Sequence, residues 1–218
     1  MKIAIYSVNT GGYDRPIEPK NMSDKVDMFM FTDTPFKSSV WEMKELPVVL
    51  ETFRKTSRYP KINSHLMFPD YDYTIYLDSN MFITEHPEFF IENFLQNNDI
   101  AVHSNPYRSC LYEEAKEIRD VLKYEKPEIV DAEIEHIRKE GYPENNGLGA
   151  CHLLVRRNTP KIKQLNEVWW SMVEKYSYRD QLSFNYSCWK TDNKYKVIEP
   201  YKEYTVQISH AKNKVSYE

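Results

Sequence analysis

The chain has 218 residues and a mass of 26.1 kDa, with 41% hydrophobic and 28% charged residues. This length and composition suit one soluble domain with a full core, so we predict a single domain over residues 1–218. The net charge of −4 and pI of about 5.9 argue against nucleic acid or an anionic membrane as partner. The three cysteines lack metal-site spacing, and no signal peptide or membrane span is evident. We therefore expect a cytoplasmic location.

Strand and helix patterns alternate along the chain. Hydrophobic periodicity predicts strands at residues 2–8, 26–33, 73–77, 99–104 and 150–156. It predicts helices at 52–67 with a break at Pro60, and at 86–95, 112–125, 128–140, 159–176 and 180–189. This alternation indicates an α/β fold in which a mostly parallel central sheet is flanked by helices.

Polar residues follow several of the predicted strands. They are Thr10 to Asp14, Asp33, Asp78 with Asn80, and His103 with Asn105. In a parallel sheet the carboxyl ends of the strands lie at one edge, where ligands bind. We therefore expect these side chains to converge on one site.

The segment Asp78-Ser79-Asn80 is the clearest candidate for a metal site. Its two outer side chains offer oxygen ligands one residue apart, and Mg²⁺ and Mn²⁺ prefer such oxygens. The alternative is a plain turn after the strand, because Asp, Ser and Asn are common turn residues.

A basic stripe precedes this segment. Arg54, Arg58, Lys61 and His65 are spaced by four, three and four residues, which places them on one helical face. Such a stripe could neutralise a diphosphate, which arginine binds with two parallel hydrogen bonds. It could equally be a solvated helix face.

Further polar groups suit a ligand rich in hydroxyls. His103, Arg108 and Glu114 follow a strand, although a carboxylate there could also cap the next helix. Asn146 lies in a Gly-Asn loop that could approach a ligand or simply turn. Asp180, at a predicted helix start, is either a cap or a general base.

Several of these stretches together resemble a glycosyltransferase-like family. They are RYPKINSHLMFPDYDYTIYLDSN, HSNPYRSCLYEEA, GYPENNGLGACHLLVRRNTP, EVWW and YSYRDQLSFNY, and the likeness runs from about Asn9 to Trp189. The family was formerly classed as a domain of unknown function. It includes plant enzymes that synthesise wall and mucilage polysaccharides, and it is similar to transferases of the GT-A type.

The resemblance implies a set of site residues. It places Asp78 and Asn80 at the metal-binding Asp-x-Asp position, with His210 as a third ligand of Mn²⁺ or Mg²⁺. It assigns the nucleotide-sugar donor to Thr10, Gly11, Tyr13, Asp33, Arg58, Lys61, Asp78 and Ser79. We assign the acceptor sugar to His103, Arg108, Glu114, Asn146 and Arg179, and catalysis to Asp180.

The implied reaction moves a sugar from a nucleoside diphosphate sugar, with UDP as the expected nucleotide, to a hydroxyl of a glycan or glycoprotein. If the reaction inverts the sugar, Asp180 would accept the acceptor proton; if it retains configuration, Asp180 would only position the acceptor. Two alternatives remain: a sugar-nucleotidyltransferase and a non-catalytic nucleotide- or carbohydrate-binding module.

Overall fold

The computed structural model describes residues 1–18, 26–199 and 205–207. The strands in these residues are β1 (Ile3–Asn9), β2 (Val26–Thr32), β3 (Glu42–Lys44), β4 (Tyr73–Leu77), β5 (Met81–Ile83), β6 (Ile100–Ser104), β7 (Gly149–Arg157), β8 (Tyr195–Ile198) and β9 (Thr205–Gln207). The helices are α1 (Phe53–Ile62), α2 (Ser64–Met67), α3 (Pro87–Phe90), α4 (Leu111–Lys116), α5 (Pro127–Lys139), α6 (Pro160–Lys175) and α7 (Gln181–Lys190). Both α3 and α4 continue as a single π-helical turn, at Ile91–Leu95 and Glu117–Val121.

Seven of the strands in the described residues form a central sheet in the order β3-β2-β1-β4-β7-β6-β8, and β5 pairs separately with β9 in an antiparallel manner. β1 pairs in parallel with β2 and β4, and β6 pairs in parallel with β8. β7 is antiparallel to both of its neighbours, β4 and β6. The predicted fold class, α/β with a mostly parallel central sheet, is confirmed.

Both faces of the sheet are covered by apolar side chains, which explains the almost continuous apolar run of β1. Its residues alternate between two core clusters because successive side chains of a strand point to opposite faces. One cluster contains Ala4, Tyr6 and Val8 with residues of α1 and α6, such as Ile62, Leu165 and Trp169. The other contains Ile3 and Ile5 with Met30, Ile75, Leu153 and Phe90.

Helix α1 carries the basic stripe toward the carboxyl edge of the sheet. It begins after Thr52, whose side chain accepts a hydrogen bond from the Lys55 amide, as N-cap residues do. The predicted break at Pro60 is wrong, because α1 continues through Pro60 and ends only at Asn63, where ψ is 44°. No helix in the described residues is long and apolar enough to cross a membrane.

Candidate active site

A cavity of about 920 Å³ opens at the carboxyl edge of the sheet, beyond the ends of β1 and β4. Many of the predicted site residues line it: Thr10, Gly11, Tyr13, Arg58, Lys61, Asp78, Ser79, Arg179 and Asp180. The structure therefore brings together groups that the sequence separates by up to 170 positions, from Thr10 to Asp180. The start of the antiparallel β7 adds Cys151 and His152 to the same edge.

Asp78 extends β4 into the cavity. Its backbone N–H donates to the carbonyl oxygen of His152 at 2.9 Å, and its side chain is 29% exposed. Its Oδ1 accepts a hydrogen bond from the Tyr76 hydroxyl at 2.7 Å and lies 3.6 Å from Nζ of Lys61. The carboxylate is thus fixed at the cavity floor while one side of it stays open to a ligand.

Asp180 holds the two predicted diphosphate-binding cations. Its Oδ2 lies 2.7 Å from Nζ of Lys61, and its Oδ1 lies 3.1 Å from Nε of Arg58. The exposed fractions of the three side chains are 7% for Asp180, 3% for Lys61 and 18% for Arg58. Asp180 is the N-cap residue of α7, as one of the two interpretations has it, but its side chain makes no capping hydrogen bond. The carboxylate forms ion pairs with Lys61 and Arg58 instead.

The same contacts set the proton affinity of Asp180. Burial raises the pKa of its carboxyl group, but the charges of Lys61 and then Arg58 outweigh burial and hold the pKa below its usual value. Asp180 is therefore ionised at neutral pH and is a weak base.

Two buried residues, Tyr6 and Arg156, bind the backbone of Lys61. The carbonyl oxygen of Lys61 accepts hydrogen bonds from the Tyr6 hydroxyl at 2.7 Å and from Nη2 of Arg156 at 2.8 Å. Nη1 of Arg156 also donates to the carbonyl oxygen of Ile62 at 3.0 Å, and Arg156 is 1% exposed. A buried guanidinium thus binds the last carbonyl groups of α1, where the helix dipole favours a cation.

The loop after β1 is shaped by Gly11. Its backbone N–H donates to both carboxylate oxygens of Asp33, at 2.9 and 3.0 Å, and its φ of +62° lies in the left-handed region that favours glycine. The Thr10 hydroxyl donates to the carbonyl oxygen of Phe53 at 2.9 Å, which joins this loop to the start of α1. Asp33 orders the loop from outside and is not among the residues that line the cavity.

The turn after β4 is joined to the loop after β1 through the side chains of Ser79 and Asp14. The Ser79 hydroxyl donates to Oδ2 of Asp14 at 2.6 Å, and the Asp14 amide donates to Oδ1 of Asn9 at 3.1 Å. Asp14 and Asn9 line the cavity, but the sequence-based assignment did not include them. Asp14 belongs to the stretch from Thr10 to Asp14 that was expected at this edge, whereas Asn9 is the last residue of β1 itself.

The predicted metal ligands are only partly brought to the cavity. Asp78 offers it a carboxylate oxygen, which is the hard donor that Mg²⁺ and Mn²⁺ prefer, and so fits the role of an anchoring ligand. Asn80 is 1% exposed and does not line the cavity, and His210 lies outside the described residues. In the described ranges, no cluster of three or more His, Cys, Asp or Glu side chains is placed to hold a metal ion. Further ligands would come from the substrate or from the rest of the chain.

The residues assigned to the acceptor are mostly elsewhere, and only Arg179 lines the cavity. Arg108 is bound by Glu114 at 2.6 Å and by Glu117 at 3.6 Å, because Arg108 lies just before α4, Glu114 within it and Glu117 at the start of the π-helical turn that follows. Asn146 is exposed, and its carbonyl oxygen accepts a hydrogen bond from the Asn185 side chain at 3.3 Å. The structure gives Arg108, Glu114 and Asn146 local contacts in place of a shared ligand site.

His103 lies behind the cavity wall rather than in it. It is 1% exposed, and its Nδ1 lies 2.6 Å from Nε2 of His152, which does line the cavity. Burial and then the charge of His152 lower the pKa of His103 to about 3, so His103 is neutral at physiological pH. The sequence-based assignment did not include His152, because it considered residues that follow the carboxyl ends of strands. His152 lies near the start of β7, which is antiparallel to its neighbours.

The wall of the cavity beside Asp180 is aromatic and basic. Nη1 of Arg54 donates to the Tyr178 hydroxyl at 3.0 Å, and the Tyr178 hydroxyl donates to the carbonyl oxygen of Tyr124. The guanidinium carbon of Arg54 lies 5.4 Å from the ring centre of Tyr178, and that of Arg179 lies 5.3 Å from the ring centre of Tyr124. Flat rings of this kind suit stacking against sugars or bases.

Comparison with known proteins shows which family and which proteins this chain is similar to. A family model described as TOD1/MUCI70, glycosyltransferase-like domain, matches residues 33–209. The protein named "Probable hexosyltransferase MUCI70" from Arabidopsis thaliana is 24% identical over 142 residues, which are 61% of this chain and 24% of that protein. The chain thus spans about a quarter of the length of this relative. An apo structure of the bifunctional glycosyltransferase WbbM is 10% identical with a TM-score of 0.48, covering 85% of this chain and 37% of that one.

Proposed function

The chain belongs to the TOD1/MUCI70 glycosyltransferase-like family, and from this membership we propose that it transfers a sugar from a nucleoside diphosphate sugar to a hydroxyl group of a glycan or glycoprotein. We expect a UDP-sugar as the donor. The observation that carries the proposal is the cluster of Asp78, Lys61, Asp180 and Arg58 on the floor of a cavity large enough for a nucleotide-sugar. Ligand cavities commonly span about 300–1,000 Å³.

Lys61 and Arg58 would stabilise the diphosphate as it leaves. Negative charge develops on the leaving group when the bond to the sugar breaks, and fixed cations in a partly dry cavity stabilise that charge strongly. Asp180 and the core contacts of Lys61 hold both cations in place before the substrate arrives, so little reorganisation is needed. This fixed geometry is what electrostatic catalysis requires.

We propose that Asp180 is a positioning residue for these cations. A general base works best when its pKa lies near the working pH, and the pKa of Asp180 is lowered by its two cations. Both carboxylate oxygens are already in ion pairs, which leaves little room for an acceptor proton. The alternative role, proton acceptance in an inverting reaction, would require Asp180 to exchange one of these contacts for the acceptor hydroxyl.

We also propose Mn²⁺ or Mg²⁺ as a cofactor, with Asp78 as its protein ligand in the cavity. When bound, the ion would supply further positive charge to the diphosphate. Lys61, 3.6 Å from Asp78, already supplies part of that charge. Metal affinity in the absence of nucleotide should therefore be modest.

Binding and donor hydrolysis together test this function. The purified chain is screened by thermal unfolding against nucleoside diphosphates and nucleotide-sugars, with and without Mn²⁺, and the best donor is then assayed for hydrolysis. A ligand at 100 times its dissociation constant should stabilise the fold by about 2.7 kcal/mol. Slow hydrolysis of that donor is the expected second result.

Two variants make the assay specific. Lys61→Met should abolish hydrolysis, while Lys163→Met, which removes a lysine that is 58% exposed on α6, should leave it unchanged. Donor binding without hydrolysis or transfer would indicate a non-catalytic binding module. No binding of any nucleotide or nucleotide-sugar would rule out the proposed function.

A further inference from the structure

We infer that Arg179 forms an anion-binding subsite on the cavity wall and holds a negatively charged oxygen group of the substrate, either a phosphate or a sugar carboxylate. The inference deepens the proposed function and rests on it for the identity of the substrate. It changes the chemistry assigned to Arg179, which the sequence linked only to the hydroxyl groups of an acceptor sugar.

The first observation is that, among the residues that the structure describes, Arg179 lacks the carboxylate partner that Lys61 and Arg58 have in Asp180. Arg179 lines the cavity, yet within the described ranges it forms no ion pair with a carboxylate. Its Nε atom is buried and has no hydrogen-bond acceptor there either. A charged donor that is shielded from water is costly to leave without an acceptor. Because Nε itself is closed to solvent, an oxygen atom that enters the cavity would first meet the terminal N–H groups of Arg179, the residue that lines it.

The second observation is the charge balance of the cavity floor. Lys61 and Arg58 are cationic, and Asp180 and Asp78 are anionic, so this cluster has no net formal charge. A diphosphate brings at least two negative charges, which such a neutral cluster cannot fully offset. Arg179 directly precedes Asp180 and lines the same cavity. Burial raises the pKa of Asp180, and the charge of Arg179 helps those of Lys61 and Arg58 to lower it. Arg179 is thus placed to supply the additional positive charge.

The third observation is that Arg179 is held in a fixed orientation. One face of its guanidinium lies over the ring of Tyr124, 5.3 Å from the ring centre. The carbonyl oxygen of Tyr124 is bound by the Tyr178 hydroxyl, and the amide of Arg179 donates to the Ser177 hydroxyl at 3.0 Å. Stacking of one face leaves the in-plane N–H groups available, and these bind phosphate or carboxylate oxygens in pairs.

The subsite is tested by calorimetric titration of the full chain and its variants with two anionic probes. One probe is inorganic pyrophosphate, which represents the donor. The other is a disaccharide with one uronic acid, compared with its uncharged methyl ester, which represents an acidic acceptor. Arg179→Gln should weaken the binding of at least one anion about tenfold, equivalent to about 1.4 kcal/mol. Arg179→Lys keeps the charge but loses the paired donors, and should lie between Arg179→Gln and the parent chain.

Arg138 provides a matched control. Its guanidinium also lies over a tyrosine ring, 4.8 Å from the centre of Tyr112, but it is exposed and does not line the cavity. Arg138→Gln should therefore bind both probes like the parent chain. Weakened pyrophosphate binding by Arg179→Gln would identify the donor as the source of the anion, and weakened binding of the acidic disaccharide alone would identify the acceptor.

The inference and the proposed function can fail separately. Arg179→Gln with unchanged affinity for both anions, or a parent chain that binds neither, would overturn the subsite. Sugar transfer by the parent chain would in that case still support the proposed function. Conversely, the chain could bind anions through Arg179 and yet neither hydrolyse the donor nor transfer sugar. That result would support the subsite and contradict the proposed function.

Discussion

The ammonium nitrogen of Lys61 lies 2.7 Å from a carboxylate oxygen of Asp180, and both side chains are almost fully buried. The pair joins the last turn of α1 to the residue that precedes α7, two segments far apart in sequence. Burial makes such a pair expensive to break from one side, because the remaining charge keeps its desolvation cost. The pair is therefore both a structural link and the core of the candidate active site.

Asp180→Asn should lower both stability and donor binding. Removing one partner of a buried ion pair costs about 3–5 kcal/mol in free energy of unfolding. Turnover should fall roughly 10²–10⁴-fold, and donor affinity should fall with it, because Lys61 and Arg58 lose the group that positions them. Urea unfolding, kcat and donor affinity are measured in parallel. The control is Asp131→Asn, which removes an exposed partner of Arg119 outside the cavity and should change none of them.

A result in which turnover falls but donor affinity stays constant would contradict the positioning role. It would instead favour Asp180 as the proton acceptor of an inverting reaction.

Stability should decrease as the pH falls from about 6.5, and His103 should cause much of this change. Its pKa is about 3 in the folded chain, because of burial and then the charge of His152, against about 6.5 when unfolded. Between these values only the unfolded chain binds the proton, so each pH unit removes up to about 1.4 kcal/mol of stability. Above about pH 6.5 both states are neutral and this contribution is constant.

Urea unfolding at several pH values between about 4 and 7.5 measures how steeply stability depends on pH. This range covers most of the interval between the folded pKa of about 3 and the unfolded pKa of about 6.5. His103→Leu should reduce the slope, although His65, whose pKa is also lowered by burial, leaves part of it in place. His86→Gln changes an exposed histidine and should behave like the parent chain. An unchanged slope in His103→Leu would contradict the assignment.

Gly11→Ala should weaken donor binding more than it weakens the fold. An added Cβ would lie 3.1 Å from the Phe53 ring, and the φ of +62° is strained for alanine. The expected loss of stability is about 1 kcal/mol, and the shifted loop should lower nucleotide affinity. Gly141→Ala is the matched control, because it has a φ of +86° with no atom within 4 Å of the added Cβ.

Calorimetric titration with a nucleotide, combined with urea unfolding, separates the two effects. Equal nucleotide affinity in Gly11→Ala and Gly141→Ala would show that the loop after β1 does not contribute to donor binding.

Asp78→Asn should remove the metal-dependent part of donor binding. Amide oxygens bind divalent cations more weakly than carboxylate oxygens, and Asp78 is the carboxylate that we assign to the ion. In the parent chain, a chelator should reduce turnover and added Mn²⁺ should restore it. Asp70→Asn alters an exposed carboxylate away from this cavity and should keep the response to Mn²⁺. Full turnover after chelation would indicate that Lys61 and Arg58 suffice without an ion.

The general position of the site could be predicted from the sequence. Polar residues follow β1 and β4, and parallel neighbours must end at the same edge of a sheet. This simple geometry is why Thr10 and Asp78 were correctly expected to lie near one another. The α/β pattern was also predictable, because apolar runs for buried strands and helical periodicity are local signals.

The partners of each side chain could not be predicted in the same way. The spacing of Arg58 and Lys61 places them on one helical face but does not reveal that Asp180 binds both. Such a contact depends on how α1 packs beside the start of α7, which is decided by the whole core. The position of His152 likewise depends on β7 being antiparallel, a property of the sheet rather than of any local pattern.

Arg156 lies beneath the cavity and touches no ligand-facing surface, yet two of its hydrogen bonds fix the end of α1 that carries Lys61. The alignment of Lys61, the cation that we propose for the leaving group, therefore depends on the hydrophobic interior behind the candidate active site. Replacing Arg156 should therefore lower turnover even when every residue that lines the cavity is unchanged. Efforts to redesign substrate preference here should accordingly leave the interior of β7 untouched and vary the rim.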